Sequence, residues 1–280
     1  MASSIIETIT PAKAQEYLNK SGGNRNISKP VVESYAATMK AGKWLLNGES
    51  ITFDLDDVLL NGHHRLHAII LAGVPIKSFV TRGVEHECFT TFDCGRHRTV
   101  GQLIGMQGVK NYISVASSVH TAARIMNGYS ISNGSSAKDM RKTNTDMIDF
   151  FNHDREFFIE IGSLVKGIVS NARILEGSLI GGSIYYLVRI GGYDKEYVVN
   201  FFRQLCSLDT CENTTIDLLR KRLLKNSASA TSKMPRPLIF AFVIKTWNAY
   251  VLNKPIKTLW YRKEDEAYPK FLLKENITNN

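Results

Sequence analysis

The chain has 280 residues, a formal net charge of +9 and a pI near 9.3, and 44% of its residues are hydrophobic. This length is enough for one large domain or two ordinary ones with a true core, and no apolar run is long enough to span a bilayer. No signal-peptide pattern follows Met1, because Glu7 interrupts the apolar residues that begin at Ile5. We therefore expect a cytoplasmic protein with no membrane partner.

The first predicted elements are two helices. Thr10 followed by Pro11 is typical of a helix N-terminus, and this helix is expected to run to about Lys20. A second helix is predicted to open at Ser28 and to close at Gly42. Its apolar face is predicted to consist of Val31, Tyr35 and Met39.

Strands follow the two helices. Residues 50–54 and 58–61 are predicted to pair across a turn at residues 54–57. Gly62 then permits a tight turn into a buried helix from His64 to Ala72, which ends at Gly73. A third strand is predicted over residues 76–81, and a short helix over residues 85–91.

The remainder of the chain is predicted to be helical, because its apolar residues recur at helical spacing. Thr99 is expected to cap a helix over residues 100–106. The later helices are predicted over residues 112–127, 139–152, 156–169, 175–190, 196–208, 215–225 and 237–252, with a small-residue linker at 226–232. We therefore predict an α+β protein with a small α/β domain at residues 1–106 and an all-helical domain at 107–280.

The run from Asn61 to Ala68, which we call the box, carries the strongest functional signal. The first amides of a helix have no partner within the helix and lie at the positive end of its dipole, so a turn led by Gly62 is suited to binding phosphate. Asn61, Gly62, Arg65 and His67 are the candidate phosphate-binding residues, with His63 and His64 as candidate donors to a reacting phosphate.

Each of these residues also has a simpler interpretation. Asn-Gly is a common tight-turn pair, and an arginine one turn into a helix is usually solvated. His63 and His67 stand four residues apart and could hold zinc, but no cysteine or carboxylate lies within a few residues to complete the ligand set, although Glu49 could approach from elsewhere. We therefore predict no metal ligands in the box.

Two further sets of residues are candidates for the same site. Glu49 could act as a base or hold Mg²⁺ in phosphoryl transfer, and the alternative is an exposed residue at the start of a strand. Asp93, Arg96, Arg98 and Thr99 lie in a turn that could contact phosphate, and the alternative is a plain surface turn.

The positive charge indicates an acidic partner, for which nucleic acid is the usual candidate. The DNA-contacting candidates are Arg220, Lys221, Arg222 and Lys225, and further basic residues follow at Lys233, Arg236, Lys254, Lys257, Arg262 and Lys263. The alternative is a solvated basic helix end. Four cysteines, Cys88, Cys94, Cys206 and Cys211, have no metal-binding spacing and are expected to be free, buried thiols.

Several spaced segments resemble the ParB/sulfiredoxin-like superfamily, and most closely its phage and prophage branch, which carries an Asp-Gly-Gln-His-Arg-type box. The segments that carry the resemblance are residues 24–28, 32–36, 39, 42–44, 46–49, 61–68, 92–99, 247–249, 259–260 and 269. The resemblance covers residues 5–105 well and the rest loosely. It implies a small α/β nucleotide-binding fold that serves as a CTP-dependent DNA clamp, an ATP-dependent sulfinic acid reductase or an amino-acid kinase.

The chain departs from this superfamily at two positions. Asn61 stands where the box usually begins with Asp, which weakens any role for a metal-binding carboxylate there, and His63 stands where the reductases keep their Cys, which argues against sulfinic acid repair. Fold resemblance does not decide chemistry.

Three functions remain open. The first is a nucleotide-dependent phosphotransferase or nucleotidase. The second is a nucleotide-gated DNA-binding protein, and the third is a counter-defence or regulatory protein that binds a nucleotide signal without chemistry. The expected cofactor is ATP or CTP, with Mg²⁺ as its candidate metal ion. A phage-encoded protein would act in the host cytoplasm, and a homodimer is a candidate assembly.

Overall fold

The computed structural model describes residues 1–22, 27–92, 98–128, 143–171, 174–209, 211–229, 233–262 and 264–278. These residues form twelve α-helices, one 3-10 helix and a four-stranded mixed sheet, so the predicted mixed α+β class is confirmed. By its internal contacts the chain divides into two units. The first contains Met1–His97 with Arg141–Thr145, and the second contains Arg98–Met140 with Asp146–Asn280.

The sheet belongs to the first unit. Its strands lie in the order β1-β4-β2-β3, with β4 antiparallel to β1 and parallel to β2, and β2 antiparallel to β3. The elements of this unit are β1 (Ser3–Ile9), α1 (Pro11–Leu18), α2 (Lys29–Lys40), β2 (Ser50–Asp54), β3 (Leu59–Asn61), α3 (His63–Ala72), β4 (Ile76–Val84) and the 3-10 helix His86–Thr91.

Local signals explain most of these boundaries. The Thr10 hydroxyl accepts a hydrogen bond from the Lys13 N–H group (3.2 Å) and caps α1, and Gly73 ends α3 with φ +71°. The predicted face of α2 is confirmed at Met39, whereas Val32 and Ala36 are buried in place of the predicted Val31 and Tyr35, which are half-buried. Strand β1 was not predicted.

The second unit consists of helices around one large hydrophobic core. They are α4 (Val100–Met106), α5 (Tyr112–Met126), α6 (Asn144–His153), α7 (Arg155–Asn171), α8 (Gly177–Arg189), α9 (Lys195–Leu205), α10 (Thr214–Ala228), α11 (Arg236–Val251) and α12 (Glu275–Thr278). Helix α10 extends into the predicted linker at 226–232, of which residues 230–232 lie outside the described part. Within the described residues, no helix combines the length and apolar character needed to cross a membrane.

The two units meet in sequence just before α4. Thr99 caps this helix through a capping box with Gln102, in which the Thr99 hydroxyl accepts from the Gln102 N–H group (3.2 Å) and the Thr99 N–H group donates to the Gln102 side chain (2.9 Å). Val100 and Ile104 are buried in the core of the second unit. Helix α4 therefore belongs with the helices of the second unit, whereas the predicted boundary follows residue 106.

Helices α5 and α8 approach each other closely through glycines. A Cβ atom at Gly181 would lie 2.0 Å from the Ser118 hydroxyl oxygen, and one at Gly182 would lie 2.6 Å from Thr121 Cβ. These distances are far below van der Waals contact, so the two helix backbones can pack at this separation only because both positions lack a side chain.

Three cysteines lie in the described residues, and no disulfide joins any two of them. Cys206 is buried, and burial raises its pKa to about 12, whereas Cys88 and Cys211 are half-buried. Cys94 lies outside the described residues.

Candidate functional site

The box forms an abrupt transition from β3 into α3. Gly62 is the only residue between the two elements, and it has φ +109° and ψ 2°. A Cβ atom there would lie 3.0 Å from Ile51 Cγ1 and 3.3 Å from Ile51 Cα. Both the dihedral angles and the close approach to β2 therefore require glycine.

The first turn of α3 is half-buried from Gly62 to Arg65. The helical hydrogen-bond ladder begins with the bond from the Leu66 N–H group to the Gly62 carbonyl (2.9 Å), so the amides of the preceding turn point along the helix axis. Gly62 has no side chain with which to cap them, and the Asn61 side chain instead accepts from the Gly62 N–H group (2.7 Å). This end of a ten-residue helix is electrostatically favourable for an anion.

The two histidines of the first turn hold a neighbouring segment. His63 Nε2 lies 2.8 Å from the Ser21 hydroxyl, and His64 Nε2 accepts a hydrogen bond from the Ser28 N–H group at 3.0 Å. Because His64 Nε2 accepts this bond, it carries no proton in this arrangement. Both ends of residues 21–28 are thus attached to α3, and residues 23–26 lie outside the described part of the chain.

The guanidinium of Arg65 is hydrogen-bonded to neighbouring protein groups rather than fully solvated. Its Nη1 atom donates to the Glu49 carbonyl (2.7 Å) and to the Ser78 hydroxyl (3.1 Å), and its side chain is half-buried. Glu49 directly precedes β2, and Gly62 contacts Ile51 at the second residue of that strand. Arg65, the turn and Glu49 are therefore brought together at the same end of β2.

The remaining candidates of the box differ in their surroundings. Glu49 is exposed, and its N–H group donates to the Asn47 side chain (3.1 Å), which fixes the turn before β2. His67 is half-buried one turn beyond His63. Among the residues that the structure describes, no group of three His, Cys, Asp or Glu side chains could hold a metal ion.

The second predicted cluster is only partly described. Asp93 and Arg96 lie outside the described residues, whereas Arg98 and Thr99 are exposed and belong to the second unit. The Thr99 hydroxyl caps α4, as predicted. The phosphate-binding roles of these four residues stay predictions.

The four DNA-contacting candidates on α10 have different environments. Arg220 is buried, and its guanidinium donates to the Ser207 carbonyl (3.2 Å) and pairs with Asp217 (2.7 Å). A guanidinium held in this way cannot reach a phosphate backbone, so we leave Arg220 out of the DNA-contacting set. The side chains that remain at the surface are Lys221, Arg222 and Lys225.

Sequence reasoning missed a carboxylate–imidazole pair beside the sheet. Buried Asp54 lies 2.6 Å from His86 Nδ1 through Oδ2, and its Oδ1 accepts from the N–H groups of Asp56 and Val58 (2.9 and 2.8 Å). The hydrogen bond with His86 lowers the pKa of Asp54, and burial only partly opposes this; the same bond raises the pKa of His86. The parallel pairing of Asp54 with Val84 would have indicated this proximity.

A second missed cluster links β1, α1 and β4. Glu7 accepts hydrogen bonds from Tyr17 (2.6 Å) and Arg82 (2.7 Å) and forms an ion pair with Lys13 (2.5 Å). Burial opposes ionisation of Glu7, but the three hydrogen-bond donors outweigh it and lower its pKa to about 2. The cluster is satisfied internally and therefore has a structural role.

The arrangement that could act on a ligand is therefore the β3–α3 turn with Arg65 and the two histidines. It combines a helix N-terminus, a cation and imidazoles, which together can bind and polarise a phosphate group. No family model, curated protein or solved structure matches this chain, so the case for a function depends on this geometry.

Proposed function

We propose that the β3–α3 turn binds the phosphate groups of a nucleotide, ATP or CTP, and that the protein acts on or with DNA. The observation that carries this proposal is Gly62, whose positive φ and contact with Ile51 turn the chain directly from strand into helix. Such a turn brings the amides of a helix N-terminus towards a ligand, and Gly62 itself has no side chain that could cover them. The resemblance of the box to the phage and prophage branch of the ParB/sulfiredoxin-like superfamily supports the same ligand class.

Arg65 supplies the charge in this proposal. It is braced by the Glu49 carbonyl and by Ser78, so its orientation is set before a ligand arrives. We expect Arg65→Ala to weaken nucleotide binding by about ten- to a hundredfold, which is the effect of losing a charge-assisted contact to phosphate. Isothermal titration calorimetry with ATP and CTP, with and without Mg²⁺, measures this effect.

Two control variants separate the effect of the Arg65 charge from the effect of the hydrogen bonds that orient its guanidinium. Ser78→Ala removes one contact of Arg65 but keeps the guanidinium, and Lys77→Ala removes an exposed positive charge from the same strand. Lys77→Ala should bind nucleotide within about twofold of the wild-type protein, whereas Ser78→Ala, which keeps the guanidinium but loosens its orientation, should weaken binding by less than Arg65→Ala does. Equal affinity of Arg65→Ala and wild-type protein would rule out the phosphate-binding role of Arg65.

A separate experiment tests for chemistry at this site. Glu49 is exposed at the same end of β2 and is the proposed base or Mg²⁺ ligand, with His63 and His64 as donors to phosphate. If the bound nucleotide turns over, Glu49→Gln should lower the rate by about a hundredfold and leave binding intact. A variant with full activity would remove Glu49 from the catalytic set.

A further inference from the structure

The excess positive charge of the protein lies in one short part of the chain. Residues 214–262 contain ten lysines and arginines but a single acidic residue, Asp217, which gives a formal charge of +9. That value equals the net charge of the whole chain, so the positive and negative charges of the other residues cancel. The positive charge is therefore a property of α10, α11 and the segment that follows α11.

The segment after α11 runs alongside α10. The Ile256 N–H group donates to the Thr215 hydroxyl (3.3 Å), and the Arg222 guanidinium donates to the Leu259 carbonyl. From residue 215 to 222 a helix advances about 10 Å, which is also the length of three residues of extended chain. The cations near Arg222 on α10 and the side chains after Leu259 thus share one surface.

Trp260 lies on this surface with half of its side chain exposed. Its neighbours Leu259 (2% exposed) and Tyr261 (9%) are buried, whereas Trp260 (50%) and Arg262 face outward, as alternate residues of an extended segment do. A large aromatic residue that is held outward among cations is suited to contact with a ligand.

The indole is fixed in place. The Lys245 ammonium lies 4.8 Å from the ring centroid, donates to the Trp260 carbonyl (2.9 Å) and pairs with Glu266 (2.6 Å). The ammonium therefore covers one face of the ring by a cation–π contact, and the orientation of the indole is set before any ligand binds.

We propose that this region, the Trp260 surface, binds a single strand of nucleic acid, with a base stacked on the indole and phosphates contacting the cations around it. The surface consists of Lys221, Lys225, Lys257, Trp260 and Arg262, whereas the Arg222 guanidinium, which donates to the Leu259 carbonyl and lies 4.3 Å from the Phe242 ring centroid, attaches the segment to α10. Cations beside an exposed aromatic ring are the usual means of binding single strands, because only an unpaired base offers its face for stacking, whereas a duplex hides it. This inference deepens the DNA part of the proposed function and does not require the nucleotide site.

Three carboxylates lie close to the cations on and beside this surface, and one of them, Glu266, pairs with Lys245 (2.6 Å). Asp217 pairs with Lys221 (2.7 Å), and Asp265 lies 4.0 Å from Arg262. The Lys221 and Arg262 side chains are 75% and 76% exposed, so these ion pairs are weak and phosphate groups can replace them.

The test is fluorescence anisotropy of a labelled oligothymidine of about 15 nucleotides, a length within the range that single-strand sites contact. Trp260→Ala should weaken binding by about five- to a hundredfold, the effect of losing one stacked base, and Trp260→Phe should recover most of the affinity. A duplex of the same length should bind more weakly than the single strand. An oligouridine should bind comparably to the oligothymidine, because stacking on the base face does not depend on the sugar.

Charge variants provide the matched control. Lys225→Ala should reduce the slope of log affinity against log salt by about 0.7, the value for one phosphate contact in a single strand. Lys166→Ala removes an exposed cation from α7 and should leave the slope unchanged. A Trp260→Ala protein that binds like wild type, or a duplex that binds as tightly as the single strand, would overturn the proposal.

The same proteins distinguish this inference from the nucleotide site. Trp260→Ala should bind ATP or CTP like wild type by calorimetry, and Arg65→Ala should bind oligothymidine like wild type. If no nucleotide binds but oligothymidine binds through Trp260, the result would rule out the proposed phosphate site and support nucleic-acid binding at the Trp260 surface.

Discussion

Neutralising Glu7 should destabilise the first unit in a pH-dependent way. Its pKa falls from 4.5 to about 2, and each unit is equivalent to about 1.36 kcal/mol, so the ionised cluster stabilises the fold by at most about 3.4 kcal/mol. Lys13 and Arg82 are 35% and 36% exposed, and solvent screening should reduce the effect to about 1.5–3 kcal/mol. Because the folded pKa is the lower one, this stability is present above pH 4.5 and is lost as the pH falls towards 2.

The assay is urea unfolding of wild-type and Glu7→Gln proteins at pH 7 and near pH 2.5. The signal is the fluorescence of Trp44, which lies in the first unit. Trp247 and Trp260 are replaced by phenylalanine in both proteins. The difference in the free energy of unfolding should be largest at pH 7 and should shrink towards acid, while Glu16→Gln, an exposed change on α1 of the same unit, should have little effect. An equal difference at both pH values would refute the electrostatic reasoning and indicate lost packing instead.

Three further variants test other parts of the structure. Gly62→Ala should lower the stability of the first unit by about 2–4 kcal/mol in urea unfolding, because it combines a positive φ with a close contact to β2; an unchanged midpoint would contradict this. Asp54→Asn should lower the pKa of His86 in an NMR titration. In the wild-type protein the free energy of unfolding should fall as the pH rises through the raised pKa of His86, and in Asp54→Asn it should not change over that pH range. Arg220→Met should destabilise the second unit by about 2–3 kcal/mol, whereas Lys225→Ala should change it by less than about 0.5 kcal/mol; similar values for both would mean that burial of the guanidinium is unimportant.

The helices could be predicted from sequence because their signals are local. Thr10 with Pro11 marks the start of α1, the capping box at Thr99 marks α4, and apolar spacing predicts α11 to within one residue at each end. A helix closes its hydrogen bonds within a few residues, so caps and periodicity suffice to place it. The burial of Val32 in place of Val31 in the face of α2 shows the limit, since these neighbouring apolar residues satisfy the same spacing.

What could not be predicted depends on contacts between distant residues. Strand β1 is an edge strand that is mostly exposed, so it lacks the alternation of a half-buried strand, and its partner β4 lies some seventy residues later. The pairing of Asp54 with His86 follows from the parallel alignment of β2 and β4. In the sequence Arg220 belongs to a run of basic residues on a helix. Its burial could not be predicted, because the carbonyls that accept its hydrogen bonds belong to the preceding loop.

In the candidate site, too, some features follow from local sequence and others depend on contacts between distant residues. The box and its turn through Gly62 follow from local sequence, but the bracing of Arg65 by Glu49 and Ser78 requires three elements to come together. The attachment of Ser21 and Ser28 to the two histidines is likewise a property of the fold rather than of any motif.

The contact between α5 and α8 has a consequence for how this protein tolerates variation. Alanine at Gly181 would place its methyl carbon against both the hydroxyl and Cβ (2.8 Å) of Ser118, so removing the hydroxyl alone would not make room. Glycine at position 118 would remove both of these contacts, and Ile161, whose Cγ2 would lie 3.1 Å from the new methyl carbon, would still have to shift. A substitution at position 181 should therefore be accepted only together with glycine at position 118, whereas position 118 can lose its side chain while Gly181 is kept.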